Sequence, residues 1–91
     1  MKVNALIASP KDSVVTLTDK VSVGDQVMYF LNDELVSVMA LEDVPQYHKL
    51  AVKAVKLGDP VVKYGEVIGI AKADIRPGEH VHTHNLSSDG R

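Results

Sequence analysis

Cysteine is absent, which excludes disulfides, thiolate zinc sites and cysteine nucleophiles. A small domain without disulfides is characteristic of the cytosol. Tryptophan is absent as well, phenylalanine occurs once, and aromatics make up only 4% of 91 residues. The core must therefore come from Val, Leu, Ile, Ala and Met. Basic residues are not in excess: ten Lys and Arg face twelve Asp and Glu, for a net charge of -2. Nothing in that balance neutralises phosphates, so nucleic acid is not an expected partner. No apolar stretch approaches the roughly 18 residues that cross a bilayer. The run from Met1 to Ala8 is too short for a signal peptide, and Pro10-Lys11-Asp12 ends it. The expectation is a cytoplasmic domain without a membrane segment. P-loop, dinucleotide, Gly-x-Ser-x-Gly and His-Glu-x-x-His motifs are also missing.

What is present is one domain's length of chain with 45% hydrophobic residues, rich in Val. Val favours strands over helices. A short pattern of an apolar residue, two more residues, Gly, an acid, one further residue and Val recurs. It reads Val21-Ser22-Val23-Gly24-Asp25-Gln26-Val27, then Val55-Lys56-Leu57-Gly58-Asp59-Pro60-Val61, then Ile75-Arg76-Pro77-Gly78-Glu79-His80-Val81. Each copy predicts a tight turn feeding a strand. Alternation and β-branched enrichment place strands over 3–8, 13–18, 26–31, 34–41, 48–55, 60–63, 66–73 and 80–85. Asn32-Asp33 is a hairpin turn. Pro45 to Leu57 competes as a helix, and a short helix or helical turn near 42–50 is part of the expectation. The domain is expected over 1–86, with 87–91 a polar tail.

Chemistry concentrates in Glu79-His80-Val81-His82-Thr83-His84-Asn85. If this stretch is extended, His82 and His84 share a face, and His80 shares it with them. Imidazoles so placed can ligate a metal or move protons. The same trio also reads as a plain polar face on an edge strand. His48, in Tyr47-His48-Lys49, is a candidate third ligand or general base, or simply part of a polar loop. Lys49 offers a point charge for a carboxylate. Lys63 and Tyr64, before Gly65, could bind an anionic substrate, or else form a solvated hairpin turn.

The stretch from Val44 to Leu86 resembles the N-terminal domain of the altronate and galactarate dehydratases, and the small subunit of sulfolactate sulfo-lyase. The residues carrying the likeness are Val44-Pro45-Gln46-Tyr47-His48-Lys49, Gly58-Asp59, Val61-Val62-Lys63-Tyr64-Gly65, Ile68-Gly69-Ile70-Ala71 and Val81-His82-Thr83-His84-Asn85-Leu86. Pro10-Lys11-Asp12-Ser13-Val14 fits more loosely. Tyr47 stands where the family has Gly, and Ser9 where many members carry His.

The resemblance implies an all-β SAF domain, a compact β-clip of many short folded-over strands. It implies a lyase that removes water from a sugar acid such as altronate or galactarate, or sulfite from a sulfonated hydroxy-acid. Such a chain would be a hydro-lyase subunit, inactive alone, whose large catalytic subunit carries most of the machinery. It implies His48, His82 and His84 as catalytic groups, with Lys49, Lys63, Tyr64 and Asn85 binding a carboxylate-bearing substrate. His82 and His84 are the expected ligands of a divalent metal, iron or manganese, unless the large subunit holds it. The competing expectation is a non-catalytic SAF module for ligand binding or assembly. Exposed strand edges also open a route to homo-oligomers.

Overall fold

The Gly-acid turns recur in space as they do in sequence. A computed structural model describes residues 2–88. It carries nine short strands among those residues: β1 (Ala5–Leu6), β2 (Val14–Leu17), β3 (Gln26–Leu31), β4 (Glu34–Met39), β5 (Lys49–Ala51), β6 (Pro60–Lys63), β7 (Glu66–Ala71), β8 (His80–Val81) and β9 (Leu86–Ser87). The described chain is all-β, without a helix. A central antiparallel sheet has the order β1-β2-β5-β8. A two-stranded β3-β4 sheet and a three-stranded β6-β7-β9 sheet complete it.

The turn pattern occurs four times, once more than the sequence disclosed. The residues at its bend are Gly24, Tyr47, Gly58 and Gly78, with φ of 90°, 69°, 89° and 96°. Each turn is closed by a backbone bond, in which Asp25, His48, Asp59 and Glu79 donate N–H to the carbonyls of Ser22, Pro45, Lys56 and Arg76. The extra copy lay hidden because Tyr47 replaces the glycine and His48 replaces the acid. A helix over this segment would need φ near −60° throughout, and Tyr47 breaks that condition.

The copies pair into two units with one hydrogen-bond pattern. Val21 bridges Val44 in the first, and Val55 bridges Ile75 in the second. Gly24 donates to Ala40 and Ala40 to Asp25; Gly58 donates to Ala71 and Ala71 to Asp59. Asp43 accepts the Val23 N–H, as Asp74 accepts that of Leu57. Tyr47 donates to Leu17 where Gly78 donates to Ala51. Tyr47 and Gly78, His48 and Glu79, and Lys49 and His80 are therefore equivalent positions.

The central sheet lies between the two units, and strand alternation serves both. Val15, Leu17 and Leu50 enter one core with Val27, Tyr29 and Val44. Val14, Ala51 and Val81 enter the other with Val55, Val61 and Ile75. Both hairpins use two-residue loops with positive φ at each position, Asn32-Asp33 and Tyr64-Gly65. This mirror-type turn matches the strand twist. The Tyr64-Gly65 loop is held from outside by the buried Asp12 carboxylate. It accepts backbone N–H bonds from Tyr64, Gly65 and Ser9 at 3.1, 2.9 and 3.0 Å. Each such donor left buried without a partner would cost about 1–3 kcal/mol.

The continuous strand expected over 80–85 is not formed. β8 ends at Val81, and residues 82–85 turn so that Asn85 and Leu86 both donate N–H to the His82 carbonyl. Leu86–Ser87 then pairs with β7. Ser87, counted with the tail from sequence, thus belongs to a strand, and residues 89–91 of that tail lie outside the described residues. The strand over 48–55 shortens to Lys49–Ala51, because Val52 and Lys53 bend away to donate N–H to the Ser13 carbonyl.

Candidate functional site

All four histidines meet at the β8 edge of the central sheet. His80 is held in β8, where it pairs with Leu50. His48 lies one residue before β5, at the end of the Tyr47 turn. His82 and His84 stand in the turn that follows β8. Nδ1 of His48 and Nε2 of His80 are 2.9 Å apart. The His48 and His82 rings are stacked with centroids 4.8 Å apart, and His80 and His82 stack at 5.5 Å. His84 tilts against His80 at 5.5 Å. His48 and His80 are half-buried, while His82 and His84 are exposed.

His48 reaches this cluster because its turn is built differently from its sisters. In two of them the acid closes back on the turn: Asp25 accepts the Ser22 N–H at 2.8 Å and Glu79 accepts that of Arg76 at 2.6 Å. Pro45 occupies the donor's place and has no N–H. An acid at position 48 would have nothing to lock, and the imidazole is free to face His80.

The 82–85 turn owes its shape to Asn85. Its side-chain oxygen accepts the His82 N–H at 3.0 Å, and its amide donates to the His80 carbonyl at 2.8 Å. Asn85 is buried, with both ends of its amide on backbone. The side chain expected to orient a substrate hydroxyl instead fixes the backbone that carries His80 and His82. Glu42 Oε2 accepts the His80 N–H at 3.0 Å, so the same histidine backbone is held from two sides. Burial lowers the His80 pKa below the ordinary histidine value, the nearby His48, His84 and His82 lower it further, and Glu42 opposes them. The shift favours the neutral form of His80, the form a ligand or proton acceptor needs.

Of the residues singled out from sequence, His48, His82 and His84 come together, and His80 joins them at the centre. It was visible as the third alternating histidine, but its contact with His48 spans 32 positions and no local spacing reveals it. The group able to share one ion is His48, His80 and His82, with ligand nitrogens within 4.8 Å of one another. It differs from the expected pair of His82 and His84. Three imidazoles are a donor set suited to a divalent transition metal. Lys49 pairs with Thr16 and Val81, on the sheet face opposite the Leu50–His80 pair. Lys63 and Tyr64 line a separate groove with Leu6, Ile7, Ala8 and Thr16, and the Lys63 ammonium sits 4.8 Å from the Tyr64 ring centre. No histidine lines that groove.

Residues 3–89 match the model of the altronate/galactarate dehydratase SAF domain. The chain belongs to this family. Over 54 residues, 59% of the chain, this SAF domain is 43% identical to altronate dehydratase of Bacillus subtilis strain 168. That alignment spans only 11% of the altronate dehydratase, so the chain matches about a tenth of that protein's length. It is 54% identical over 49 residues to the (2R)-sulfolactate sulfo-lyase subunit alpha of Paracoccus pantotrophus, covering 54% of the chain and 73% of that subunit. The alpha subunit of Chromohalobacter salexigens is 29% identical over 91 residues, covering 97% of both chains. The relatives are lyases, and those named as alpha subunits imply an enzyme of more than one subunit. Among the described residues of this SAF domain, no helix is long and apolar enough to cross a membrane.

Proposed function

We propose that this chain is the small subunit, or N-terminal domain, of a lyase acting with a large dehydratase-like catalytic subunit. Its substrate class is a sugar acid such as altronate or galactarate, losing water, or a sulfonated hydroxy-acid, losing sulfite. The observation that carries this reading is the four-histidine cluster on a domain shared with lyases of both kinds. Elimination beside a carboxylate needs a base for the α-proton, an acid or metal for the leaving group, and a cationic grip on the carboxylate. His48, His80, His82 and His84 supply the first two, since neutral imidazoles accept a proton and imidazolium returns one. The exposed pair, His82 and His84, faces the incoming substrate. His80 and His48 stand behind them, 2.9 Å apart, close enough to pass a proton. Lys49 faces away from the histidines and Lys63 and Tyr64 line a separate groove, so in this reading the cationic grip on the carboxylate falls to the large subunit.

A divalent metal bound at these imidazoles would polarise the leaving group as a Lewis acid. Iron suits this donor set better than manganese, which prefers oxygen ligands.

The test is co-expression of this chain with a large dehydratase-like subunit from the same host. Turnover is assayed on sugar acids by carbonyl product and on sulfolactate by sulfite release. The reading expects activity that needs both chains and is lost in His82→Ala while the complex still assembles. A complex inert on every substrate of either class would reject it. If histidine substitutions changed only complex stability, the domain would be an assembly module.

A further inference from the structure

We propose that this chain by itself binds one divalent transition-metal ion through His48, His80 and His82, selecting nitrogen-preferring ions over manganese and magnesium. The proposal deepens the reading above by naming ligands and ion class, and it rests on the geometry of this chain without any partner.

The three ligand nitrogens are gathered within 4.8 Å of one another, so small side-chain rotations bring them onto one ion. The 2.9 Å between His48 Nδ1 and His80 Nε2 suits a hydrogen bond, and equally suits two nitrogens each about 2.1 Å from one ion. The backbone behind them is fixed before any ion arrives. Glu42 and Asn85 grip His80 from its N–H and its carbonyl, and Asn85 also grips the His82 N–H. Such preorganisation lowers the cost of gathering ligands. The Pro45-His48 exchange is an independent sign. The turn gives up the acid lock that two of its three sisters keep, which leaves the His48 side chain free for another role.

The ion class follows from the donors. Three imidazoles with no carboxylate favour zinc, cobalt, nickel and ferrous iron, while manganese lies at the weak end of the divalent order and magnesium prefers oxygen. The Glu42 carboxylate is not in the group able to share one ion, and its Oε2 accepts the His80 N–H. Three protein ligands also leave a position open, as in catalytic rather than structural sites. His82 is exposed, so the site borders solvent. His84 touches the His80 ring but lies outside the converging set.

The experiment titrates Co2+ into the untagged, chelator-treated 91-residue chain and follows its visible absorption. The expected result is one ion per chain, displaced by Zn2+ and not by equimolar Mn2+. His48→Gln, His80→Gln and His82→Gln should each weaken Co2+ about tenfold or more, and His84→Gln less than about threefold. His82 is exposed, so His82→Gln is expected to keep the fold by circular dichroism, which keeps the test decisive. No saturable binding, or an equal loss in His84→Gln, would overturn the proposal. That failure would leave the lyase reading intact, with the histidines acting as proton carriers. Cobalt binding by a chain whose complex is inert would reject the lyase reading alone.

Discussion

His48 follows Pro45 by three positions, and together they remove both halves of a lock that Arg76 and Glu79 keep in the sister turn. Pro45 removes the N–H donor, and His48 removes the carboxylate acceptor. The turn itself survives on the His48 N–H bond to the Pro45 carbonyl at 3.2 Å. Local stability has been given up here, and the freed side chain meets His80.

It follows that His48 contributes little to the fold. His48→Gln should change the unfolding free energy by less than about 1 kcal/mol, as substitutions away from buried networks usually do. Urea denaturation of the two proteins measures this. A loss of several kcal/mol would mean that the imidazole is a structural element of the turn.

Tyr47 carries the left-handed backbone that Gly24, Gly58 and Gly78 carry in the other turns, with φ of 69° and a ring 73% exposed. A side chain in this region costs roughly 1–2 kcal/mol, and glycine recovers it while losing about 0.5–1 kcal/mol to unfolded-chain entropy. Tyr47→Gly should therefore stabilise the domain by about 0.5 kcal/mol. A destabilised variant in thermal melts would show that the exposed ring packs on something worth more than the strain.

Much of this architecture was legible before any coordinates. The three turns at Gly24, Gly58 and Gly78, the Asn32-Asp33 hairpin and β6 follow from residues whose backbone preference is local. The fourth turn was not, because Tyr47 and His48 erase both letters of its pattern. The histidine site was half legible. Alternation drew attention to His82 and His84, but it assumed an extended chain through Asn85. The side chain of Asn85 instead bonds backbone at 80 and 82 and bends the chain there. That bend, with the β5-β8 pairing, brings His48 against His80, and pairing between distant strands is written in no local spacing.

Gly78 and Gly24 have similar φ, 96° and 90°, yet different surroundings. A methyl group on Gly78 would collide with the Met39 carbonyl oxygen and crowd Leu41, whereas nothing lies within 4 Å at Gly24. Gly24→Ala should cost about 1–2 kcal/mol, the backbone term alone. Gly78→Ala adds a clash with immovable backbone and should cost about 3 kcal/mol or more, placing it among the severe substitutions. Equal melting temperatures for the two variants would remove the packing role assigned to Gly78.

Asn85→Ala removes both hydrogen bonds of a buried amide and leaves the His82 N–H and the His80 carbonyl without that partner. A loss of about 2–3 kcal/mol is expected. The effect should be local as well as global. Proton NMR should show the His80 and His82 ring resonances shifting toward those of free histidine while the core methyl signals persist. Unchanged histidine resonances would mean that Asn85 does not position them.

The depressed pKa of His80 fixes the direction of the fold's pH dependence. His80 faces His48, His82 and His84 as well as the Glu42 carboxylate, and burial with the three imidazoles outweighs the acid. In the metal-free chain the unfolded state therefore binds a proton at His80 before the native state does. Well above about pH 6.5, the ordinary histidine value, neither state is protonated and this effect vanishes. As pH falls from there toward the lower native value, proton uptake favours the unfolded chain and stability drops. Urea midpoints should be lower at pH 5.5 than at pH 7.5, and His80→Gln should shrink that difference. The contrast between the two proteins isolates the part of the pH dependence that needs His80. An unchanged difference in His80→Gln would place the pH sensitivity elsewhere.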